Sequence, residues 1–312
     1  MFTSKDFAVG QNYDLKDVLI EVNKKQNPFV TFLMSKTVKA TSPQVHWITE
    51  EIADSAVTLA EGGDAPSFVK DTLAPRDNYL EIFAATATVT NTAQYSKAVG
   101  INDLLAHEVE KKTKAIKRRM ENKFIHGTKG YSNGVYTTDG ILAQIHPDHR
   151  VTGALTADAF EEAIGKLYDA GVSDEILVFV PARIKKQLNK LGNVEFYARD
   201  KFLGFDMEQY ITVFGTVNFI LCEELGNNKF FALNPNYIEM PVLIPFHARM
   251  EAASGSKQSI YLETQAGVNL LNDKAAVSFE ITDSIEDTDS IEDTDSIEDT
   301  VSIEDTDSIE VA

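Results

Sequence analysis

The apolar positions of this sequence change their spacing along the chain, and the changes mark predicted strands and helices. Gln44–Thr49 alternates apolar and polar residues as a half-buried strand does, and Asn78–Val89 is rich in β-branched and aromatic residues. Paired glycines, two prolines and mixed charges lie between them. Loops of such length inside a compact domain are uncommon and are usually functional or disordered. The pattern therefore predicts two strands that hold a long polar loop with little core of its own.

A long helix is predicted from Ile101 to Gly127, because apolar residues recur between positions 101 and 124 with a period close to 3.6. Asn102 or Asp103 can cap its N-terminus, and glycine is typical of the position that follows a helix. At 1.5 Å per residue the helix would be about 36–39 Å long, which is enough to span a subunit.

The polar faces of this predicted helix are basic. The candidate residues are Lys111, Lys114, Lys117 and Arg118. Two interpretations are open. The cations face solvent, favourably placed in the C-terminal half of the helix dipole, or they contact a polyanion or the acidic residues of a neighbouring subunit.

Beyond a polar loop at residues 128–139, the pattern predicts a compact α+β unit. Its elements in chain order are a helix over 156–171, a strand over 175–180, a helix over 181–191, and strands near 211–214, 217–221 and 230–233. Two closing strands, at 259–264 and 275–281, complete the body. We therefore predict the α+β class for the whole body.

The N-terminal segment is predicted to be an arm over residues 1–43. It contains one amphipathic helix, which Asp14 caps and which ends at Asn27-Pro28. Phe29–Met34 is apolar, and such a run needs a surface to cover it. That surface belongs either to the chain's own core or to a neighbouring subunit.

The C-terminal tail, residues 283–312, is a low-complexity repeat. The hexapeptide Asp-Ser-Ile-Glu-Asp-Thr begins at 283 and recurs at 289 and 295, then at 301 with Val301 in place of aspartate, and is truncated from 307. The tail contains thirteen acidic residues and no basic one, and therefore most of the net charge of −19. This composition predicts disorder. A β structure built from the repeats is the alternative, although one isoleucine per copy supplies little core.

Composition excludes several classes of protein. Without the tail the net charge is only mildly negative, which does not favour sequence-independent binding of phosphates. The one cysteine, Cys222, excludes an intramolecular disulfide and a multi-cysteine metal cluster. No apolar run is long enough to span a membrane, and the first residues lack the layout of a secretory signal. We therefore expect a soluble protein, made in a cytoplasm, without a membrane partner.

Motifs for catalysis are missing from the sequence. It contains no phosphate-binding glycine loop, no dinucleotide fingerprint, no nucleophile elbow and no HExxH zinc motif. The nearest metal-like cluster is His146-Pro147-Asp148-His149, whose proline disfavours a helix that would present the three ligands together. We therefore predict no catalytic residue, no cofactor and no metal site.

Taken in order, the predicted elements and several short motifs resemble the major capsid proteins of tailed bacteriophages with the Hong Kong 97 fold. The resemblance covers residues 8–282. Each motif is weak alone, and their shared order carries the comparison. The motifs are Asn27-Pro28-Phe29, His46-Trp47, Glu61-Gly62-Gly63, Asn78-Tyr79-Leu80-Glu81-Ile82, Thr86-Ala87-Thr88-Val89, Arg118-Arg119-Met120-Glu121, Gly140-Ile141-Leu142 and Glu263-Thr264-Gln265-Ala266-Gly267-Val268.

The resemblance implies a division of the chain into the parts of that fold. These are an N-terminal arm (1–43), an E-loop hairpin region (44–90), a P-domain (91–150) with its spine helix at 101–127, an A-domain (151–245), closing P-domain strands (246–282) and the acidic tail (283–312). Glycine-bearing and apolar positions of the E-loop region become candidates for contact between subunits: Trp47, Glu61, Gly62, Gly63, Phe68, Lys70 and Tyr79.

As a function, the resemblance implies self-assembly into hexamers and pentamers of an icosahedral head that encloses double-stranded DNA, in the host cytoplasm. The partners would be other copies of the chain, a separate scaffold protein, a portal, DNA bound without sequence specificity, and a decoration protein. The basic helix face would contact DNA or a neighbour. The acidic tail is expected outside the shell, because like charges repel it from DNA.

Two other functions stay open on the sequence. A nanocompartment shell of the encapsulin type shares the fold and would carry an enzyme cargo instead of DNA. A metal-dependent hydrolase, which would use His146, Asp148 and His149, is the alternative from a different class.

Overall fold

The computed structural model describes residues 26–96, 103–172, 175–190, 196–198, 208–252 and 255–282, with the side chains of 196–198 left out. The helices are α1 (Pro28–Met34), α2 (Asn91–Tyr95), α3 (Leu104–His126), α4 (Ile141–Gln144), α5 (Ala157–Asp169) and α6 (Ala182–Lys190). The strands are β1 (Thr37–Lys39), β2 (Gln44–Glu51), β3 (Thr72–Tyr79), β4 (Glu81–Thr90), β5 (Gly130–Ser132), β6 (Val135–Thr137), β7 (Arg150–Gly153), β8 (Ile176–Val180), β9 (Phe196–Ala198), β10 (Glu208–Thr212), β11 (Gly215–Leu221), β12 (Lys229–Leu233), β13 (Ile238–Met250), β14 (Lys257–Ala266), β15 (Asn269–Leu270) and β16 (Ala276–Ile281). The predicted helix capped by Asp14 and the acidic tail lie outside these residues.

A five-stranded sheet supports the long helix α3. Its order is β1-β13-β14-β4, with β15 beside the start of β13. Phe83, Ala87 and Val89 alternate inward along β4, and the inward face packs on α3. The rings of Phe83 and Phe124 meet edge to face, with their centroids 5.7 Å apart. The alternating apolar residues of β4 and the apolar face of α3 therefore pack into one core.

A seven-stranded mixed sheet forms the second half of the body, in the order β7-β16-β12-β8-β11-β10-β9. β8 and β11 are parallel neighbours, and α6 lies between them in the chain. α5 packs against this sheet: the Phe160 ring lies 5.8 Å from the rings of both Phe219 and Phe230. The predicted α+β unit thus has one sheet as its base.

α1 connects the two sheets through its aromatic residues. The Phe29 ring lies 5.1 Å from that of Phe179 in β8 and 5.3 Å from that of Phe231 in β12. Phe29 and Phe32 are fully buried. The apolar run that needed a cover is therefore a helix that packs in the chain's own core.

Glu121 of α3 fixes the start of α1. Its side chain is 1% exposed, and its two oxygens accept hydrogen bonds from the backbone N–H of Phe29 (3.0 Å) and of Val30 (2.6 Å). Burial raises the pKa of this carboxyl to about 7, against the lowering effect of the two N–H donors, and Glu224 adds to the rise. The carboxyl thus joins the long helix to α1 at an electrostatic cost.

The long helix ends for a different reason than its sequence indicates. Asp103 caps α3 by accepting a hydrogen bond from Ala106 N–H (3.0 Å), as the sequence predicts, whereas Ile101 and Asn102 lie outside the described residues. Gly127 has φ −56°, so the left-handed conformation typical of glycine is not used. A Cβ there would lie 2.4 Å from the Lys123 carbonyl oxygen. Glycine is needed for this close approach.

Two predicted regions differ in the structure. The residues 128–139 contain a hairpin, β5–β6, whose turn residues Asn133 and Gly134 both have positive φ. The two predicted closing strands do not share a sheet: β14 pairs with β13 and β4, whereas β16 pairs with β12 and β7. Phe279 of β16 stacks on Phe230, so burial of this ring places the strand in the seven-stranded sheet.

Candidate assembly site

The predicted strand pair is a hairpin that belongs to neither large sheet. β2 and β3 pair antiparallel from Gln44 with Tyr79 to Glu51 with Thr72. The second strand begins at Thr72 and breaks at Leu80, so the predicted start at Asn78 is wrong. Every residue from Asp54 to Lys70 is exposed, and Phe68 reaches 90% exposure. An exposed phenylalanine at the end of such a loop is a candidate contact for another molecule.

Asn78 anchors the root of the hairpin. It is fully buried, and its amide nitrogen donates to the Val268 carbonyl (2.6 Å). Its carbonyl oxygen accepts from the backbone N–H groups of Tyr79 and Asp139, both at 2.8 Å. Three motifs of the resemblance, those around Asn78, Gly140 and Gly267, therefore meet at this root. The three segments are joined there by one buried hydrogen-bond network.

Ion pairs hold the rest of the hairpin to the body. Arg76 pairs with Asp273, Lys129 with Asp77 (2.6 Å between Nζ and Oδ1), and Lys274 with Glu51 (3.2 Å between Nζ and Oε1). The hydrogen bond from Lys129, with a second from Gln44, holds the pKa of Asp77 below its usual value. Sequence patterns missed these pairs, since partners up to 223 positions apart give no local signal. The contacts that orient the hairpin are therefore polar.

Trp47 and Tyr79 face their own subunit. Trp47 lines a cavity of about 410 Å³ between the hairpin root and the body, together with Arg76 and His146. Its buried indole N–H has no acceptor among the described residues. The Tyr79 ring lies 5.3 Å from the Tyr136 ring. These two candidates thus line the root, whereas Glu61, Gly62, Gly63, Phe68 and Lys70 lie in the exposed loop.

The basic face of α3 is partly neutralised by acids of the same helix. Lys111 forms an ion pair with Glu108 (2.7 Å between Nζ and Oε1), and Lys114 with Glu110 (3.0 Å). Lys117 is half-buried and Arg118 is exposed. Pairs at this spacing on a helix are worth a few tenths of a kcal/mol (~0.3) and reduce the local positive potential. The face is less basic than its lysines alone indicate.

The histidine cluster is not arranged as a metal site. His149 is buried, its Nδ1 lies 3.2 Å from the Ala276 carbonyl oxygen, and burial lowers its pKa. Asp148 extends into solvent, with its Oδ2 3.5 Å from His146 Nδ1. In the part of the chain that the structure describes, no three histidine, cysteine or acidic side chains are grouped to hold a metal ion. The hydrolase alternative thus has no assembled ligand set in this region.

None of the described helices is long and apolar enough to cross a bilayer.

Comparison with solved structures identifies the fold. The chain is similar to one from Mycobacterium phage Adephagia (TM-score 0.62, 12% identity, 91% of this chain and 99% of that one). It is also similar to the capsid of Myoviridae phage XM1 (TM-score 0.56, 15% identity, 90% and 98%). The holo-SrpI encapsulin complex from Synechococcus elongatus PCC 7942 matches as well (TM-score 0.61, 14% identity, 90% and 95%). At such identities these likenesses show the fold, and the predicted Hong Kong 97-like capsid fold is confirmed.

Comparison of the sequence with family models assigns the protein. No curated protein matched the sequence. The model of the SU10 major capsid protein matches residues 2–283, which is almost the whole chain before the acidic repeats. The chain therefore belongs to the SU10 major capsid protein family, and it is a major capsid protein of a virion shell.

Proposed function

We propose that copies of this chain form the hexamers and pentamers of an icosahedral head around double-stranded DNA, with the loop over residues 52–71 linking neighbouring copies. One observation carries the proposal: a loop with exposed apolar side chains extends from a root that is held by a buried hydrogen-bond network. Burying one phenylalanine side chain is worth about 1.5–3 kcal/mol. A neighbouring copy supplies the missing cover.

A contact of this kind closes rings. The loop and the surface it covers are different parts of one chain, so the contact is head to tail, and such contacts generate rings when the rotation closes. Glu61, Gly62, Gly63, Phe68 and Lys70 are the proposed contact residues. We assign Trp47 and Tyr79 to the root, where they set the direction of the hairpin.

We assign the parts of the fold by the sheets. α3 with the five-stranded sheet forms the P-domain, and the seven-stranded sheet with α5 and α6 forms the A-domain. This assignment places the whole of β13 in the P-domain, because the strand crosses the 245/246 boundary between the A-domain and the closing strands and lies in the five-stranded sheet. We likewise assign β16 to the A-domain, because it pairs with β12 and β7 in the seven-stranded sheet.

The remaining partners are proposals that rest on the resemblance to tailed-phage capsid proteins. They are a separate scaffold protein, a portal, a decoration protein and DNA bound without sequence specificity. The basic face, Lys111, Lys114, Lys117 and Arg118, would contact DNA or a neighbour, with its charge reduced by the ion pairs of Lys111 and Lys114 within the helix. A structural role without catalysis agrees with the family.

We place the acidic tail, residues 283–312, on the outside of the shell. Its thirteen acids have no basic residue among them, and inside they would face the phosphates of DNA. A glutamate-specific protease added to intact particles should shorten every subunit to about residue 286. Protection of the tail in intact particles, with cleavage after disruption, would place it inside.

Electron microscopy of the purified protein, alone and with its scaffold, tests the proposal. Closed shells or rings of five and six subunits are the expected result, whereas a protein that stays monomeric under all these conditions contradicts it. The encapsulin-type alternative shares the fold, so the content of native particles decides between the two. DNA inside supports a phage head, and a packaged enzyme without DNA supports the nanocompartment.

A further inference from the structure

The outer half of β13 is an edge strand. On its outer side β13 pairs only with β1, from Met240 to Val242, whereas β14, continued by β15 at Ile238 and Glu239, occupies the other side. From Leu243 to Met250 no described strand lies along the outer edge. All residues from Pro245 to Met250 are exposed. Such an edge presents unpaired backbone groups that another strand can bind.

The ladder shows which backbone groups point outward. Glu251 N–H donates to the Ser259 carbonyl (2.9 Å), so Glu251 is a hydrogen-bonded position of the β13–β14 pair. Hydrogen-bonded and non-bonded positions alternate in an antiparallel pair. The N–H and C=O groups of Ala248 and Met250 therefore point away from β14. They are available to a partner strand.

The side chains of this edge continue the apolar face of the sheet. Ala248 lies opposite Leu262, and Met250 lies opposite Ile260, so all four share one face. Leu262 is buried in the core, whereas Met250 is 69% exposed because α3 packs on β4 and β14 and leaves the end of β13 uncovered. Phe246, 48% exposed, adds to this patch.

The devices that usually protect an edge strand lie before this segment. Pro245 and two register shifts between Val242 and His247 disturb the pairing of β13. From His247 to Met250 the pairing with β14 is regular. The protection thus ends where the exposed apolar segment continues, which favours a partner at this place.

The exposed loop of a second copy has matching properties. Ser67–Lys70 makes no backbone hydrogen bond to any residue that the structure describes, and it carries Phe68 and Val69, two strand-favouring residues. Residues 52–71 contain four acids and one lysine, and Arg249 lies within the exposed edge segment of β13. Each surface lacks what the other offers: a backbone partner, an apolar cover and opposite charge.

We propose that Ser67–Lys70 of one copy adds as a strand to the edge Phe246–Met250 of the next copy, with Phe68 against the patch formed by Phe246 and Met250. The inference rests on the proposed function and names the surface that receives the loop. Addition of an extended segment to an open sheet edge takes its affinity from backbone hydrogen bonds and its specificity from alternate side chains. Repetition of the contact around a ring joins each subunit to the next.

A disulfide between copies tests the contact directly. The double variant Phe68→Cys/Met250→Cys should form subunit-to-subunit disulfides in assembled particles under mild oxidation, seen as a ladder of multimers on a non-reducing gel. Cys222 is buried and does not compete. The matched control is Phe68→Cys/Thr88→Cys, since Thr88 lies on β4, the opposite edge strand, and is also exposed. Particles that link equally in both variants, or only in the control, overturn the proposal.

A pair of proline variants tests the backbone contact if the cysteines disturb assembly. Ala248→Pro removes an outward N–H of β13, and Thr88→Pro removes an outward N–H of β4, because Thr88 lies opposite Ser259 and both strands are edges. We expect the unassembled subunits of both variants to have the same unfolding temperature as the wild type. Only Ala248→Pro should reduce the yield of shells, at least tenfold. Equal yields overturn the proposal. If the wild-type protein itself forms no shells, the proposed function fails instead.

Discussion

The body of the subunit and its hairpin are stabilised by different physical means. The body buries aromatic side chains between two sheets, where Phe29, Phe179 and Phe231 contact one another. The hairpin β2–β3 has a polar root at Asn78, ion pairs to the body and a loop without any buried residue between Asp54 and Lys70. The aromatic core of the body is buried within the subunit, whereas the apolar side chains of the loop stay exposed in the single subunit.

This difference explains how one chain is both stable and ready to assemble. A two-stranded hairpin is only marginally stable in water by itself. The root fixes the direction in which the hairpin extends, so less orientational freedom is lost on binding a neighbour. In the proposed assembly, the exposed apolar residues contribute to the contact between subunits instead of to the fold.

The largest expected contrast is between two phenylalanines. Phe231→Ala should lower the free energy of unfolding of the unassembled subunit by about 3–5 kcal/mol, because it leaves a cavity in the core. Phe68→Ala should change it by less than about 0.5 kcal/mol and should weaken assembly instead. Urea unfolding and the yield of particles measure the two effects. A large loss of subunit stability in Phe68→Ala would remove the distinction between the regions.

The buried carboxyl of Glu121 makes the stability of the body depend on pH. Its pKa is about 7 in the folded subunit and near 4.5 in an unfolded chain, so the folded state binds more protons between these values. The free energy of unfolding should therefore fall as the pH rises from about 4.5 to 7, by about 3 kcal/mol. Below this window the carboxyl is protonated in both states and the penalty is absent.

Glu121→Gln should remove this part of the pH dependence, and Glu162→Gln, at an exposed position of α5, serves as the control. Urea unfolding at several pH values measures the slope. An unchanged slope in Glu121→Gln would show that the carboxyl does not titrate in this range.

The root of the hairpin should respond as a buried polar network. Asn78→Ala leaves the N–H groups of Tyr79 and Asp139 without their acceptor and removes one of two amide donors to the Val268 carbonyl, Gln144 being the other. We expect a loss of about 2 kcal/mol. Asn78→Asp keeps the acceptor oxygen and is the matched variant. Amide hydrogen exchange should show faster opening of β3 in the alanine variant and little change in α5. Equal exchange throughout would argue against a local anchor.

The smallest expected effect is that of the ion pair between Arg76 and Asp273. Asp273 is largely buried and Arg76 is partly exposed, so solvent screens the pair in part. A double-mutant cycle with Arg76→Ala and Asp273→Ala should give a coupling of about 1 kcal/mol that decreases in high salt. No coupling would leave Asn78 as the main anchor of the hairpin.

Periodicity predicted the elements whose burial is local. α3 follows from its helical spacing and the Asp103 cap, and β2 from its alternation of side chains. β3 was interpreted as loop because it contains Pro75, which an edge strand tolerates. The β5–β6 hairpin has a signal in the sequence, Asn133-Gly134, the residue pair preferred in such turns. β13 was missed because Pro241 and Pro245 interrupt its pattern.

The candidate site was predictable only in part. Phe68 was identified as a contact candidate because the resemblance places it in the E-loop region. Arg76, Asp273 and Asn78 were not, since their roles depend on partners that the fold brings together from distant positions. The sheet of β16 was unpredictable for the same reason. Local sequence patterns predict the helices and strands, whereas pairing between distant parts of the chain determines which strands become neighbours in a sheet.

The most direct measurement replaces the exposed loop. Asp54–Lys70 is exchanged for Asn-Gly, which keeps β2, β3 and the hydrogen bond from Ala53 N–H to Asp71 (2.9 Å) and closes the hairpin with a short turn. Thermal unfolding and electron microscopy are then compared with the wild type. The account predicts a subunit that unfolds within a few degrees of the wild type (~3 °C) and forms no stable shell. Closed shells of wild-type stability from the shortened chain would contradict it.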